Sequence, residues 1–458
     1  MSNTDIKSCV EKAVVDKDIT DISDGFLNST SSTLVFYNLN PDQKSLEAFL
    51  QRVSKSSYGF LVVNGKMAEE VPGSIAVSAE DFNDLQDIYC QRFYPIDSSK
   101  KFIGITGTNG KTTTVHLCVQ ICHQMGIKAI SIGTIGVKNA DEIIAPTSTL
   151  TTPSFIDTRK ILFQFKDQYE YCFLEVSSHA AVQKRIRGIP FSVSAFMSFT
   201  RDHLDYHENE ENYFNAKKLF LDNYLIGDAP IFVPNSQTDL QERLKEIYSI
   251  TIPRTLEERG ISSLPAFFRT TFNKGNLEIA LGICEYLTSK EISPDLDRFK
   301  YPEGRFFIYE VDGRIFAIDS AHTPDAFSNI IKATKEAFPD KSLWVLFGCG
   351  GSRDRKKRPI MGGIVNGDAD RIFLTSDNVR DEDPLQIIED IKPSLDLNKT
   401  VVEPDREKAV AKAFEEMKDD CILLMLGKGH EDYQIVKGEL VSYSEIGAIE
   451  KARKGSKK

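Results

Sequence analysis

The chain has 458 residues, 41% of them apolar and 27% charged, with a formal net charge of −11. That length accommodates about three domains with sizeable cores, and the acid excess excludes a nucleic-acid surface, which needs clustered positive potential. The eight cysteines are scattered without metal-ligand spacing; with no secretory apolar segment and no apolar run near about 18 residues, a cytoplasmic protein with reduced thiols and no membrane insertion is expected.

Residues 1–98 read as a separate small α/β unit. Residues 33–37 and 59–63 are strand-like, and Leu46, Phe49, Leu50 and Val53 recur at helical spacing over 45–53. The polar stretch 95–101 reads as a linker into a second unit, residues 99–300.

That second unit opens on a short apolar strand, 102–105, a turn, 106–110, and a helix starting near Lys111 that carries Val115, Leu117, Val119 and Ile121. The turn runs Gly107-Thr-Asn-Gly-Lys-Thr-Thr113. Strand, glycine loop, Lys-Thr and helix are the parts of a phosphate cradle. Glycines let backbone N–H groups crowd round phosphate oxygens, and the helix N-terminus adds positive potential. In that reading Lys111 neutralises the β- and γ-phosphates and the Thr112 hydroxyl ligates Mg²⁺. Ile105 stands where the strict Walker spacing has its first glycine, so a plain glycine turn before a helix is the competing reading.

Further along, 128–132 reads as a strand, and Leu150-Thr-Thr-Pro153 opens a helix with Pro153 in its first position. Thr152 is either that helix's N-cap or a substrate contact. The strand 171–175 ends at Glu175, which puts a carboxylate at the carboxyl edge where open α/β sheets bind ligands. Such a group holds a hard cation like Mg²⁺ or closes a salt bridge. His203 follows the strand 193–197 in Asp202-His-Leu-Asp-Tyr-His207; a lone histidine is more often structural than a ligand. A helix starts at 272–280, with Asn273 as a candidate cap.

Residues 301–458 alternate strand-like runs (315–318, 343–347, 371–375, 422–426) with helical stretches such as 325–338 and 406–417. The alternation predicts a doubly wound, mainly parallel sheet, so the fold class is three-domain α/β. Gly348-Cys-Gly-Gly351 lacks the dinucleotide spacing, which excludes a nicotinamide cofactor. The tail 451–458 reads as frayed and solvated.

The loop from Gly107 to Thr113 resembles the ATP loop of the Mur ligase family, ATP-dependent amide-bond-forming enzymes of peptidoglycan synthesis, and motifs over about residues 100–450 resemble its MurE type. The resemblance implies that Gly107, Thr108, Asn109, Gly110, Lys111, Thr112 and Thr113 bind ATP, together with Asn276 (adenine), Arg305 of Glu303-Gly-Arg-Phe306, and Asp319 and His322 of Asp319-Ser-Ala-His-Thr-Pro324. Ser320 replaces the usual tyrosine of that last motif. It assigns the metal site to Thr112, Glu175 and His203, and carbamylation to Lys217 in Tyr213-Phe-Asn-Ala-Lys217, which turns a cation into an anion beside the transferring phosphoryl group. Lys111, Glu175, His203 and Lys217 are its catalytic set. Thr151, Thr152, Ser177, Gln183 and Arg185 would grip the nucleotide-peptide, the guanidinium of Arg185 matching a carboxylate.

In the third unit, the resemblance gives Arg353, within the signature 347–359, the carboxylate of the incoming amino acid. Asp377-Asn-Val-Arg380 carries Val379 in place of the usual proline; Arg380 would pair with the distal carboxylate of meso-diaminopimelate, which lysine lacks. With Asp377 and Asn378, Gly427 supplies a backbone contact and Glu431 holds the distal ammonium. A buried arginine left unpaired should reject lysine. The Asp-Ser-Arg segment that holds UDP in this type is missing; Asp21-Ile-Ser-Asp-Gly25 stands there without the arginine. The short span after Lys217 implies a central sheet that lacks some peripheral strands.

The resemblance therefore implies a monomeric ligase, with ATP and Mg²⁺ as cofactors, that adds meso-diaminopimelate to the D-Glu of UDP-N-acetylmuramoyl-L-Ala-D-Glu through an acyl phosphate. A ligase adding L-lysine or another diamino acid, a folylpolyglutamate-type ligase and a non-catalytic nucleotide-binding regulator are the alternatives.

Overall fold

The computed structural model describes residues 3–39, 43–65, 68–146, 150–302 and 304–455. Its N-terminal sheet has four parallel strands in sequential order: Asp21–Ser23, Thr33–Asn38, Phe60–Asn64 and Ile75–Val77. Parallel strands are buried on both faces and read as unbroken apolar runs. Accordingly Leu34 and Phe36 join the core with Val10 and Leu85, while Val35 joins Leu46 and Phe49 in a separate cluster. Helices Asn3–Asp16 and Ala79–Phe93 cover the first face and Gln43–Val53 the second.

The central sheet has eight strands. In spatial order they are Ile250–Thr251, Ile231–Phe232, Phe191–Phe196, Lys101–Thr106, Tyr171–Glu175, Ala129–Gly133, Gly136–Lys138 and Ile143–Ala145. The last three are joined to one another antiparallel, and all the other pairings are parallel. On the edge that follows Lys217, both strands are two residues long. The third sheet runs Phe307–Val311, Arg314–Asp319, Cys421–Leu426, Ser342–Phe347, Arg371–Leu374 and Thr400–Val402, parallel except at its first pair. A hairpin, Tyr433–Val436 with Glu439–Ser442, stands beside it. One apolar core is continuous from Ile103 and Leu277 of the central layer to Phe327 and Leu424 of the third.

Several local expectations need correction. The linker ends before Lys101, which already belongs to the strand. The helix after Thr152 is Phe155–Gln164, capped by Ser154, whose side chain accepts from Asp157 N; Pro153 precedes it and Thr152 caps nothing. Phe155 and Ile156 pack into the N-terminal core instead. The helix Thr271–Thr288 is capped by Thr270, not Asn273, whose side-chain amide donates to Phe267 O at 3.0 Å. The tail is helical over Glu445–Gly455 and is tied down by Lys451–Glu407 and Arg453–Asp312 ion pairs; 456–458 lie outside the described residues.

Candidate active site

The strand Lys101–Thr106 sits mid-sheet, so the loop that follows it emerges at the carboxyl edge. Gly107 has φ 141° and a Cβ there would stand 2.9 Å from Ser198 N; Gly110 has φ 87° and a Cβ would meet Asn276 Oδ1 at 2.7 Å. Both positions need glycine, because backbone and neighbour leave no room for a side chain. Thr108 N donates to Ser198 O at 2.8 Å and Asn109 N to Ser198 Oγ at 2.8 Å, which fixes the loop's curvature. Lys111 Nζ donates to Gly107 O and Thr108 O at 2.7 and 2.9 Å, folded back along the loop.

Glu175 ends its strand 1% exposed. It accepts from Thr112 Oγ1 at 2.9 Å, Thr134 N at 2.9 Å and Thr134 Oγ1 at 3.2 Å. Burial pushes its carboxyl above the ordinary range, against the pull of Lys111 and of the Thr134 N–H. Thr112, Thr134 and Glu175 thus form a cluster of hard oxygen donors, which fits Mg²⁺. His203 has φ 52° and its Nε2 lies 3.5 Å from Asp202 Oδ2. Partial burial holds its pKa below the usual value, opposed by Asp202, which favours the neutral ring that ligates metals. Lys217 is buried on the helix Glu210–Tyr224, with Nζ donating to Gly107 O at 2.9 Å. Burial, then Lys111, pushes its pKa well below the ordinary value. Among the described residues, no group of three or more His, Cys, Asp and Glu is placed to hold a metal ion.

Two cavities flank the loop. The first, about 310 Å³, is lined by Asn109, Gly110, Thr113, Phe272, Asn276 and Arg305 among others. Asn276 is held by Asn273, to whose Oδ1 its Nδ2 donates at 3.1 Å. Arg305 borders both cavities, and its Nε is buried without a hydrogen-bond partner among the described residues. Asp319 accepts from Phe306 N and Ala321 N at 2.7 Å each, so its carboxylate shapes the turn beside the cavity. His322 Nδ1 lies 2.9 Å from Ser320 O. Glu303 of the same motif lies outside the described residues.

The second cavity, about 350 Å³, brings Lys111, Thr112, Glu175 and His203 together with Asp319, His322, Gly427 and Glu431. Arg380 is not in that lining; it has φ 52°, N donating to Ile435 O at 2.9 Å and one guanidinium nitrogen donating to Gly351 O at 3.0 Å. The expectation of a buried Arg380 needs correction: it is half-buried, with burial and neighbouring Arg353 lowering its pKa. Arg353 itself is exposed, whereas Asp377 and Asn378 are buried. Asn378 Nδ2 donates to Glu431 Oε2 at 2.8 Å.

The residues expected to grip a nucleotide-peptide form one chain of contacts. Thr152 Oγ1 donates to Glu175 O at 2.8 Å and lies 3.2 Å from Ser177 Oγ; Arg185 donates to Thr152 O at 2.9 Å and to Gln183 Oε1. Thr151 borders the second cavity. Gln183 and Arg185 line a further cleft of about 640 Å³ against the N-terminal sheet, with Asp24, Asn38, Asn64 and Arg187. Asp21 itself is held by Lys160 at 2.7 Å and by Tyr94, whereas Asp24 of the same segment lines that cleft.

Sequence reasoning missed Thr134, Asp202 and Lys428. Thr134 was signalled by the Gly133-Thr-Ile-Gly136 turn after an apolar strand, and Asp202 by its place beside His203. Lys428 carried no signal beyond standing between Gly427 and Gly429.

A glycine loop at a sheet's carboxyl edge, sharing a cavity with residues of a separate doubly wound sheet, has the form of a phosphate-binding loop. The chain belongs to the Mur ligase family: residues 105–261 match the Mur ligase middle domain and 304–429 the Mur ligase glutamate ligase domain. It is 33% identical to the UDP-N-acetylmuramoyl-L-alanyl-D-glutamate--2,6-diaminopimelate ligase of Aquifex aeolicus, over 88% of this chain and 87% of that one. A ligase of the same name, numbered 1, from Clostridium acetobutylicum is 30% identical over 92% and 94%. The crystal structure of MurF ligase from Thermotoga maritima in complex with ADP shares the fold, with TM-score 0.63 and 14% identity, covering 95% and 98% of the two chains.

Proposed function

We propose that the protein is an ATP-dependent ligase that joins meso-diaminopimelate to the D-Glu carboxyl of UDP-N-acetylmuramoyl-L-Ala-D-Glu. The observation that carries this reading is the shared cavity: Lys111, Thr112 and Glu175 face Gly427 and Glu431 across one space. In this reading Asn276, which lines the first cavity, would contact adenine, and Arg305, which borders both cavities, would meet the phosphates. The D-Glu carboxylate attacks the γ-phosphorus, the bond to the bridging oxygen breaks, and ADP leaves. The amine of diaminopimelate then attacks the acyl carbon, phosphate leaves, and the nitrogen loses a proton.

In this reading Lys111 turns from the loop carbonyls to the phosphoryl oxygens, where developing charge needs a cation. Thr112, Glu175 and His203 would hold Mg²⁺, with carbamylated Lys217 near the transferring group. The bound ion supplies charge neutralisation at the transferring phosphoryl group. Arg185, Gln183 and Thr151 orient the muramyl-peptide. The UDP end enters the cleft beside Asn38 and Asn64, at the carboxyl ends of two parallel strands. Arg380 and Glu431 take the two distal groups of diaminopimelate, and Arg353 its other carboxylate.

Phosphate release by the purified protein with ATP, Mg²⁺ and the nucleotide-dipeptide tests this directly. Release with meso-diaminopimelate and not with L-lysine is expected. Release with neither, under conditions where ATP raises the melting temperature, would favour a non-catalytic nucleotide binder.

A further inference from the structure

We infer that Lys428 is a specificity-determining positioning residue: by neutralising Glu431 it makes the distal amino-acid site demand a zwitterion and refuse a lone ammonium. This rests on the proposed placement of diaminopimelate.

Lys428 has no exposed side-chain surface. Its Nζ lies 2.5 Å from Glu431 Oε2 and 2.9 Å from Asn378 Oδ1. Both ends of the Asn378 amide are engaged: its Oδ1 also accepts from Ile435 N at 2.9 Å, and its Nδ2 donates to Glu431 Oε2. Glu431 Oε2 therefore meets two donors, and among the described residues none reaches its Oε1. One carboxylate oxygen remains for a ligand, on a group whose charge is already offset.

The arginine opposite is arranged the other way. One guanidinium nitrogen of Arg380 donates to Gly351 O and Asn378 O at 3.0 and 3.2 Å, while among the described residues no acceptor meets its Nε or its other terminal nitrogen. Those two N–H groups form the fork that matches a carboxylate. Arg353 adds positive charge beside it. Asp377 offsets one of the two arginines; with Glu431 offset by Lys428, one positive charge is left in excess around Arg380. A ligand that brings a carboxylate with its ammonium balances that excess; the side chain of lysine, a bare cation, adds to it. Like charge in a partly desolvated site is a strong means of rejection. Without the buried Lys428 cation, Glu431 would attract ammonium alone, and Arg380 would be the only discriminator.

The test compares kcat/KM for meso-diaminopimelate and L-lysine in wild type, Lys428→Gln and Asn378→Asp, with KM for ATP and Tm as controls. Lys428→Gln keeps a hydrogen-bonding side chain and removes the charge. Asn378→Asp keeps the residue size and adds a carboxylate beside Lys428. Both lower the local charge by one, so both should lower the diaminopimelate-to-lysine ratio by about tenfold or more, with KM for ATP unchanged. An unchanged ratio in a folded variant overturns the inference; if Lys428→Gln fails to fold, Asn378→Asp decides alone. Wild type that uses neither amino acid overturns the underlying placement and, with it, this inference. Wild type that uses diaminopimelate, beside variants of unaltered ratio, overturns the role of Lys428 only.

Discussion

The Nζ atoms of Lys111 and Lys217 converge on one acceptor, the carbonyl oxygen of Gly107, at 2.7 and 2.9 Å. Two ammonium groups on one carbonyl repel each other, and the buried one yields. Lys217 is the more enclosed, and burial followed by Lys111 holds its pKa well below the ordinary lysine value. A neutral amine is the form that reacts with carbon dioxide, so the repulsion prepares Lys217 for carbamylation. Lys217→Ala should cut phosphate release at least about 10³-fold. In wild type, the fraction of neutral amine rises as pH rises through the lowered pKa, so activity in carbonate-depleted buffer should fall at low pH and return with bicarbonate. A ¹³C carbamate resonance on labelled bicarbonate should appear in wild type and not in Lys217→Ala. Full activity in that variant removes the residue from the mechanism.

Glu175 offers a stability test that is independent of turnover. Its carboxyl is buried, and that burial raises its pKa above the ordinary carboxylate range. The native carboxyl then keeps a proton that the unfolded chain has lost. Stability from this group is greatest below the unfolded value and falls as pH rises through the folded one. Glutamine carries no such cost and can satisfy Thr134 N. Measured in EDTA, Tm of Glu175→Gln should match wild type near about pH 4 and exceed it by about 2 °C or more at pH 8. Phosphate release should fall about 10²-fold or more. A Tm difference that does not vary with pH would remove the burial cost from Glu175.

How much was legible in the sequence follows from distance along the chain. The phosphate loop was readable because strand, glycines, Lys-Thr and helix are contiguous, and Glu175 because an apolar run ending in a carboxylate marks a strand edge. What those groups touch was not readable. Gly107 and Lys217 are 110 residues apart, and Thr134 and Glu175 are 41 apart. Local rules also competed: Thr152 and Ser154 are both good caps, and burial of Thr152 against Glu175 O and Ser177 left Ser154 to start the helix. The charged tail looked unable to pay its ordering entropy. Ala448 and Ile449 bury against the third core, which outweighs it.

Arg305 should govern nucleotide affinity. Among the described residues its buried Nε has no partner, and it stands close enough to Lys111 to lower that residue's pKa after burial has done so. Two cations facing one cavity repel until an anion arrives between them. Arg305→Ala should raise KM for ATP about ten- to hundredfold, the range for a lost charge-assisted hydrogen bond. It should leave KM for diaminopimelate nearly unchanged and shrink the rise in Tm that ATP produces. An equal ATP-induced Tm shift in both proteins would place the phosphates elsewhere.

Arg380 separates charge from geometry. Its backbone is in the left-handed region, φ 52°, held there by hydrogen bonds to Ile435 O and from Lys437 N at 2.9 and 2.7 Å. Any non-glycine replacement inherits the same backbone cost, so Arg380→Ala and Arg380→Lys differ from wild type chiefly in the side chain. Alanine removes the fork and its charge; KM for meso-diaminopimelate should rise about ten- to hundredfold while KM for ATP stays constant. Lysine restores the charge without the two parallel N–H groups and should recover only a small part of that loss. If Arg380→Lys restores full affinity, the site reads charge alone. If KM for diaminopimelate is unchanged in Arg380→Ala, the distal carboxylate binds elsewhere, and the half-buried position of Arg380 belongs to the loop's folding rather than to recognition.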